Sequence, residues 1–184
     1  YNDPMLPLQW HYDNRADVNV YGANEPKENA DISAFEAWKY TTGRKDVIVA
    51  VLDEGVYYEH PDLAANMWVN EKELTGTQGV DDDGNGCVDD IYGYNFCDDN
   101  AEITFDDHGT HVAGTIAAVN GNGIGVAGVA GGSGNGDGCR IMTCQIYDED
   151  GNSAKTENIA RAIKYAADNG AVIMNNSWAY SKGS

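Results

Sequence analysis

The stretch Val47-Ile48-Val49-Ala50-Val51-Leu52-Asp53 decides the fold. Six apolar residues run without alternation, as a strand buried on both faces of a parallel sheet requires. The run stops at an acid, so Asp53 falls at the carboxyl edge of the sheet, where α/β folds assemble their sites. Downstream, Arg140 to Tyr147 reads as a second strand, and Val172-Ile173-Met174 opens a third. Between them, Gly109 to Val119 is small and apolar enough to be a buried helix. From Thr156 to Asp168, Ile159, Ala162, Ile163 and Ala166 share one helical face, and Asn169-Gly170 is a stop signal. Strand, helix, strand, helix, strand is the order of an α/β fold with a mostly parallel central sheet.

Upstream of that frame, residues 1–30 hold three of the four prolines (4, 7 and 26) and show no periodicity. They read as an extended N-terminal arm laid over a body formed by residues 31–184. Ser33-Ala34-Phe35-Glu36 fits a capping box for a short helix ending before Gly43. The opening Tyr1-Asn2-Asp3-Pro4 has neither a basic n-region nor an apolar h-region, as expected of a processed or trimmed chain. No apolar run approaches the roughly 18 residues of a membrane span.

Charge narrows the partners. Eleven Lys and Arg against 30 Asp and Glu leave a net charge of −19 over 184 residues. That balance argues against nucleic acid and anionic membranes and suits cations. Ten of the acids lie between Asp81 and Asp107, a window with no Lys or Arg. Within it, Asp81, Asp83, Asn85 and Asp89 stand at positions 1, 3, 5 and 9 of a calcium loop. Gly86 takes the sharp turn at position 6, and Cys87 at position 7 would offer its backbone carbonyl. Tyr92 replaces the usual Glu at position 12, with Asp90 a substitute carboxylate. Alternate short carboxylates in a tight loop converge on one hard cation, so calcium is the expected cofactor. The four cysteines (87, 97, 139 and 144) have no CxxC spacing, which leaves a Cys87–Cys97 bridge or free thiols.

His108-Gly109-Thr110-His111-Val112-Ala113-Gly114 puts two histidines at i and i+3. One reading is a metal pair for a hydrolase; the others are packed histidines, or His108 at a helix start facing a site. Gly123-Ile124-Gly125-Val126-Ala127-Gly128 matches GxGxxG but follows a helix, and the dinucleotide fingerprint needs strand, turn, helix.

Together, Val49–Gly55, His60-Pro61-Asp62-Leu63, the His108–Gly114 motif and Asn176-Ser177-Trp178 resemble the subtilisin-like serine proteases, the subtilases. The resemblance implies a three-layer α/β fold that here stops before its C-terminal strands. It also implies a calcium-binding serine endopeptidase, exported from the cell. Asp53 and His108 would be two members of an Asp-His-Ser triad. Gly151-Asn152-Ser153 and Ser177-Trp178-Ala179 would flank an extended polypeptide substrate. Asp62 with Asn122 would serve a second calcium. None of the serines (33, 133, 153, 177, 181, 184) has the family nucleophile's context. The nucleophile is therefore expected in a remaining part of the domain, with a propeptide as a further partner and the chain alone inactive. The alternatives are a non-catalytic subtilase-like binding module and a metal-dependent hydrolase using His108 and His111. Glu54, where the family usually has Ser or Thr, is expected to raise the pKa of His108. Trp178 and Ala179, in place of Leu and Gly, are expected to narrow a side-chain pocket.

Overall fold

A computed structural model of the chain describes residues 1–16 and 27–179. Four parallel strands form its sheet: β1 (Ile48–Asp53), β2 (Gly93–Asn95), β3 (Arg140–Gln145) and β4 (Ala171–Asn176), in the spatial order β2-β3-β1-β4. In β1 the side chains divide between two cores. Ala50 and Leu52 join Met142, Cys144 and Ile146 beneath α4 (Thr156–Asp168), while Val49 and Val51 join Ile141 against α3 (Asp107–Ala117). The apolar run is thus unbroken because helices cover both faces. Val51 and Leu52 are fully buried, each such side chain contributing roughly 1.5–3 kcal/mol.

The three strands expected from sequence are present, and β2 joins them in a segment that shows no strand pattern. It is three residues long and pairs in parallel with β3. Gly93 is required there: a Cβ would stand 1.8 Å from the carbonyl oxygen of Thr143.

Two helices, α1 (Ala34–Ala37) and α2 (Glu71–Thr75), are short. The capping box at Ser33 does not form. Ser33 has φ 52° and makes no side-chain cap, because Asp31 Oδ1 accepts from both its N–H and its hydroxyl. On α4 the buried stripe is Ile159, Ala162, Tyr165 and Ala166, whereas Ile163 is exposed. Tyr165 is drawn inward because its hydroxyl donates to the buried carboxylate of Asp90.

The described part of the arm is not simply extended. It makes two 3-10 turns, Leu6–Leu8 and Trp10–Tyr12, and packs Leu6 and Tyr12 against Ala34 and Ala127. The rest of the proposed arm, residues 17–26, and the serines at 181 and 184 lie outside the described residues. All four cysteines are free thiols, so Cys87 and Cys97 are not bridged.

Candidate active site

Asp53 closes β1 at the carboxyl edge, next to Gln145 of β3. His108 is the second residue of α3, whose start is capped by the Asp106 carboxylate. The helix is glycine-rich and a poor former by composition. It holds because Ala113 and Ala117 are fully buried against the sheet. Its approach to β1 depends on two glycines. A Cβ on Gly109 would stand 2.1 Å from the carbonyl oxygen of Gly55, and one on Gly55 would stand 1.9 Å from that of Thr104.

That close fit brings His108 Nδ1 to 2.7 Å from Asp53 Oδ1. The same oxygen accepts the N–H of Glu54 at 2.9 Å, which fixes the carboxylate. Asp53 is 3% exposed, whereas the His108 side chain is 51% exposed. The ring is thereby anchored on its Nδ1 side and open on the other. Asp53 raises the His108 pKa above its ordinary value, first through the hydrogen bond and then through charge. Burial opposes this, and Glu54 and Asp107 add smaller upward pushes. The expected effect of Glu54 therefore has the expected sign but is subordinate to Asp53.

His111 does not join His108. It lines a cavity of about 630 Å³ with His11 and His60, beneath the N-terminal arm. Among the described residues, the group of potential ligands containing His108 consists of Asp53, Glu54 and His108.

The two candidate substrate segments leave the same edge of the sheet as Asp53. Gly151, Asn152 and Ser153 form an exposed turn in which Asn152 donates to the Asp148 carboxylate, and Ser153 bridges to Tyr147. Ser177, Trp178 and Ala179 follow β4; Ser177 accepts from Asn175, and Trp178 is half-buried against the α4-side core.

The acidic loop gathers a different set of carboxylates from the one its spacing suggests. Asp81 and Asp83 meet Glu73 of α2, with one oxygen from each within 4.8 Å of the others. Glu73 is buried and receives the N–H groups of Asp82, Asp83 and Asp89. Asp81 accepts from Gly84, Asn85 and Gly86, which keeps it below the usual carboxylate range. Asn85 accepts the Cys87 N–H. Asp89 instead faces the N–H of Gly79, and Asp90 is surrounded by Asn70, Asn85 and Tyr165. Burial pushes Asp90 up to about 6. Three converging carboxylates, one of them buried, form an oxygen donor set that suits a hard divalent cation.

Sequence reasoning missed Glu73 because it lies eight residues before the loop, and only the fold of α2 brings it in. At the second expected calcium position, Asp62 accepts from the Asn122 side chain at 2.7 Å and from Val126 N–H at 2.9 Å. Burial raises its pKa. Asp3 of the arm, also missed as a site residue, receives the N–H groups of Gly121 and Asn122 beside it.

The family described as Subtilase family (Peptidase_S8) matches residues 44–184, more than half of the chain. The chain belongs to the subtilase family. The subtilase assignment is supported by a subtilisin-like protease 1 of Plasmodium berghei, 33% identical over 183 residues. That alignment covers 99% of this chain and 27% of the relative. A halolysin-like extracellular serine protease of Natrialba magadii is 34% identical over 145 residues, covering 77% of this chain and 22% of its own length. Among solved structures, a serine protease of Aeromonas sobria in complex with its chaperone shares the fold, with a TM-score of 0.69 at 23% identity. That likeness covers 98% of this chain and 26% of the other. The chain thus spans about a quarter of the length of these subtilase relatives.

Proposed function

We propose that the chain supplies the aspartate and histidine of a calcium-binding serine endopeptidase. The Asp53–His108 hydrogen bond at the sheet edge, with the ring's far side open, carries this reading. Asp53 holds Nδ1 protonated, which leaves Nε2 as the base toward a serine hydroxyl. His108 takes the hydroxyl proton as the serine oxygen bonds to the scissile carbonyl carbon. It then returns that proton to the leaving amine as the C–N bond breaks, and water repeats the sequence on the acyl-enzyme. Asp53 stabilises the imidazolium formed between the two transfers.

In this reading the partners are a polypeptide substrate lying between residues 151–153 and 177–179, the part of the domain carrying the serine, and a propeptide. Glu73, Asp81 and Asp83 would hold one calcium, with Asn85, the Cys87 carbonyl, Asp89 and Asp90 around them; Asp62 and Asn122 would serve a second. Calcium would supply the positive charge that lets these carboxylates pack together beside the segment leading to His108. An extracellular relative supports a secreted enzyme. The test is peptide hydrolysis by the full-length protein and by residues 1–184 alone. Hydrolysis by the first and none by the second is expected. Hydrolysis by the isolated 184 residues, or full activity in a full-length His108→Ala variant, would overturn the assignment.

A further inference from the structure

The hydrogen bond between Asp53 and His108 joins segments that lie 55 residues apart in the chain. One is the end of β1, and the other is the start of α3, shortly after Thr104. The His108 side chain is half exposed, so its ring is placed mainly by the backbone that carries it. Just ahead of α3, the side chain of Gln145 takes hold of that backbone.

Gln145 ends β3, in parallel register with Asp53, and is fully buried. Burying an amide is costly unless its polar atoms are hydrogen-bonded, and this amide is committed at both ends. Its Oε1 accepts the N–H of Thr104 at 3.0 Å. Its Nε2 donates to Thr104 Oγ1 at 2.6 Å and to the carbonyl oxygen of Tyr147 at 2.9 Å. The orientation is dictated, because a flipped amide would set N–H against N–H and carbonyl against carbonyl. Thr104 is confined on a third side as well: its carbonyl oxygen would stand 1.9 Å from a Cβ on Gly55. At the other end, Tyr147 leads into the turn of residues 148–153 and bridges to Ser153. One amide thus ties the segment entering α3 to the sheet edge beside Asp53 and to the turn read as flanking the substrate. The proton relay uses none of its atoms.

We propose that Gln145 is a positioning residue for peptide hydrolysis, setting the place of His108 relative to Asp53 and to the substrate beside residues 151–153. The proposal rests on the endopeptidase reading above. An apolar side chain of similar size at this position leaves the Thr104 N–H and the Tyr147 carbonyl without their partner, so both segments relax toward water. A displacement of about 1 Å in a catalytic group costs roughly 100-fold in rate.

The experiment compares the full-length protein with its Gln145→Met variant, with rates scaled to the folded fraction read by circular dichroism. Gln145→Met is expected to lower kcat per folded molecule by about 10- to 100-fold. The acid limb of its kcat/KM profile is expected to move to lower pH. Asp53 holds the His108 pKa up chiefly through their hydrogen bond, and a displaced ring loses that push. A merely structural role would lower stability but leave kcat per folded molecule and the acid limb unchanged, and that result overturns the proposal. Thr104→Val removes one of the three bonds and is expected to lower kcat by roughly 2- to 10-fold. In the Gln145→Met background the same change is expected to do little, because its partner is already gone. Additive effects of the two substitutions overturn the proposal. If Gln145→Met does not fold, Thr104→Val alone decides: an unchanged kcat with an unmoved acid limb overturns the proposal. Wild-type hydrolysis with unaffected variants sinks this inference alone, whereas no hydrolysis of any peptide by the wild type sinks the endopeptidase reading and this inference with it.

Discussion

Replacing Gly109 with alanine isolates the contact on which the Asp53–His108 geometry depends. In a helix interior this change ordinarily stabilises by roughly 0.5–1 kcal/mol. Here the added Cβ would stand 2.1 Å from the Gly55 carbonyl oxygen and 3.3 Å from Asp53 Cβ. Relief requires α3 to retreat from β1 by about 1 Å, with an overpacking cost of about 1–3 kcal/mol. The same retreat lengthens the 2.7 Å Asp53–His108 bond beyond hydrogen-bonding range. A misplacement of about 1 Å in a catalytic pair costs roughly 100-fold in rate. Gly114, on the same helix, is the control, because its Cβ would meet nothing within 4 Å. Gly109→Ala in the full-length protein is therefore expected to lose about 1–2 kcal/mol of stability and about 100-fold in kcat/KM. Gly114→Ala should be neutral or slightly stabilising. Denaturant titration and peptide kinetics on both variants read these effects. Equal behaviour of the two variants would refute the close-approach argument.

Chelating calcium should speed hydrogen exchange in residues 81–107 before it affects β1 and β3, by about 100-fold relative to protein at a calcium level 100 times Kd; unchanged exchange there would remove the proposed site. The acid limb of the pH–rate profile should move to lower pH in Glu54→Gln. The negative charge at Glu54 helps hold the His108 pKa up, and the base form is lost as pH falls through that raised value; an unmoved limb would contradict this. By the same linkage, the stability gained from the His108–Asp53 pair is full below the ordinary histidine pKa and fades as pH rises through the raised one. Tyr165→Phe removes a donor from the buried Asp90 and should cost about 1–3 kcal/mol in chemical denaturation; a change within experimental error would show that Asp90 does not need that bond. Peptide-library profiling should show small residues preferred at the subsite beside Trp178, and acceptance of large aromatics there would count against the narrowing.

The elements that were legible in the sequence are those whose pattern reflects burial on both faces or along one stripe. β1 and β3 announce themselves because helices cover each side of the sheet, and α4 because its apolar face repeats. Asp53 and His108 were legible because each sits at the end of such an element, inside a specific motif. What escaped depends on contacts between distant segments. β2 is a three-residue strand made possible by Gly93 lying against Thr143, and no local periodicity encodes that. Glu73 enters the acidic loop from a helix of five residues, and Asp3 reaches Gly121 and Asn122 from the arm. Asp81 and Asp83 lie close together with Glu73, whereas Asp89 has a backbone φ of 56° and faces Gly79. At Ser33, the competing acceptor Asp31 defeated a capping box that was sound by sequence alone.

Labelling the full-length protein with a serine-directed fluorophosphonate tests the central claim most directly. The account predicts one labelled serine, outside residues 1–184, whose labelling is lost in His108→Ala and strongly slowed in Asp53→Asn. No label at all, or a label indifferent to His108, would contradict it.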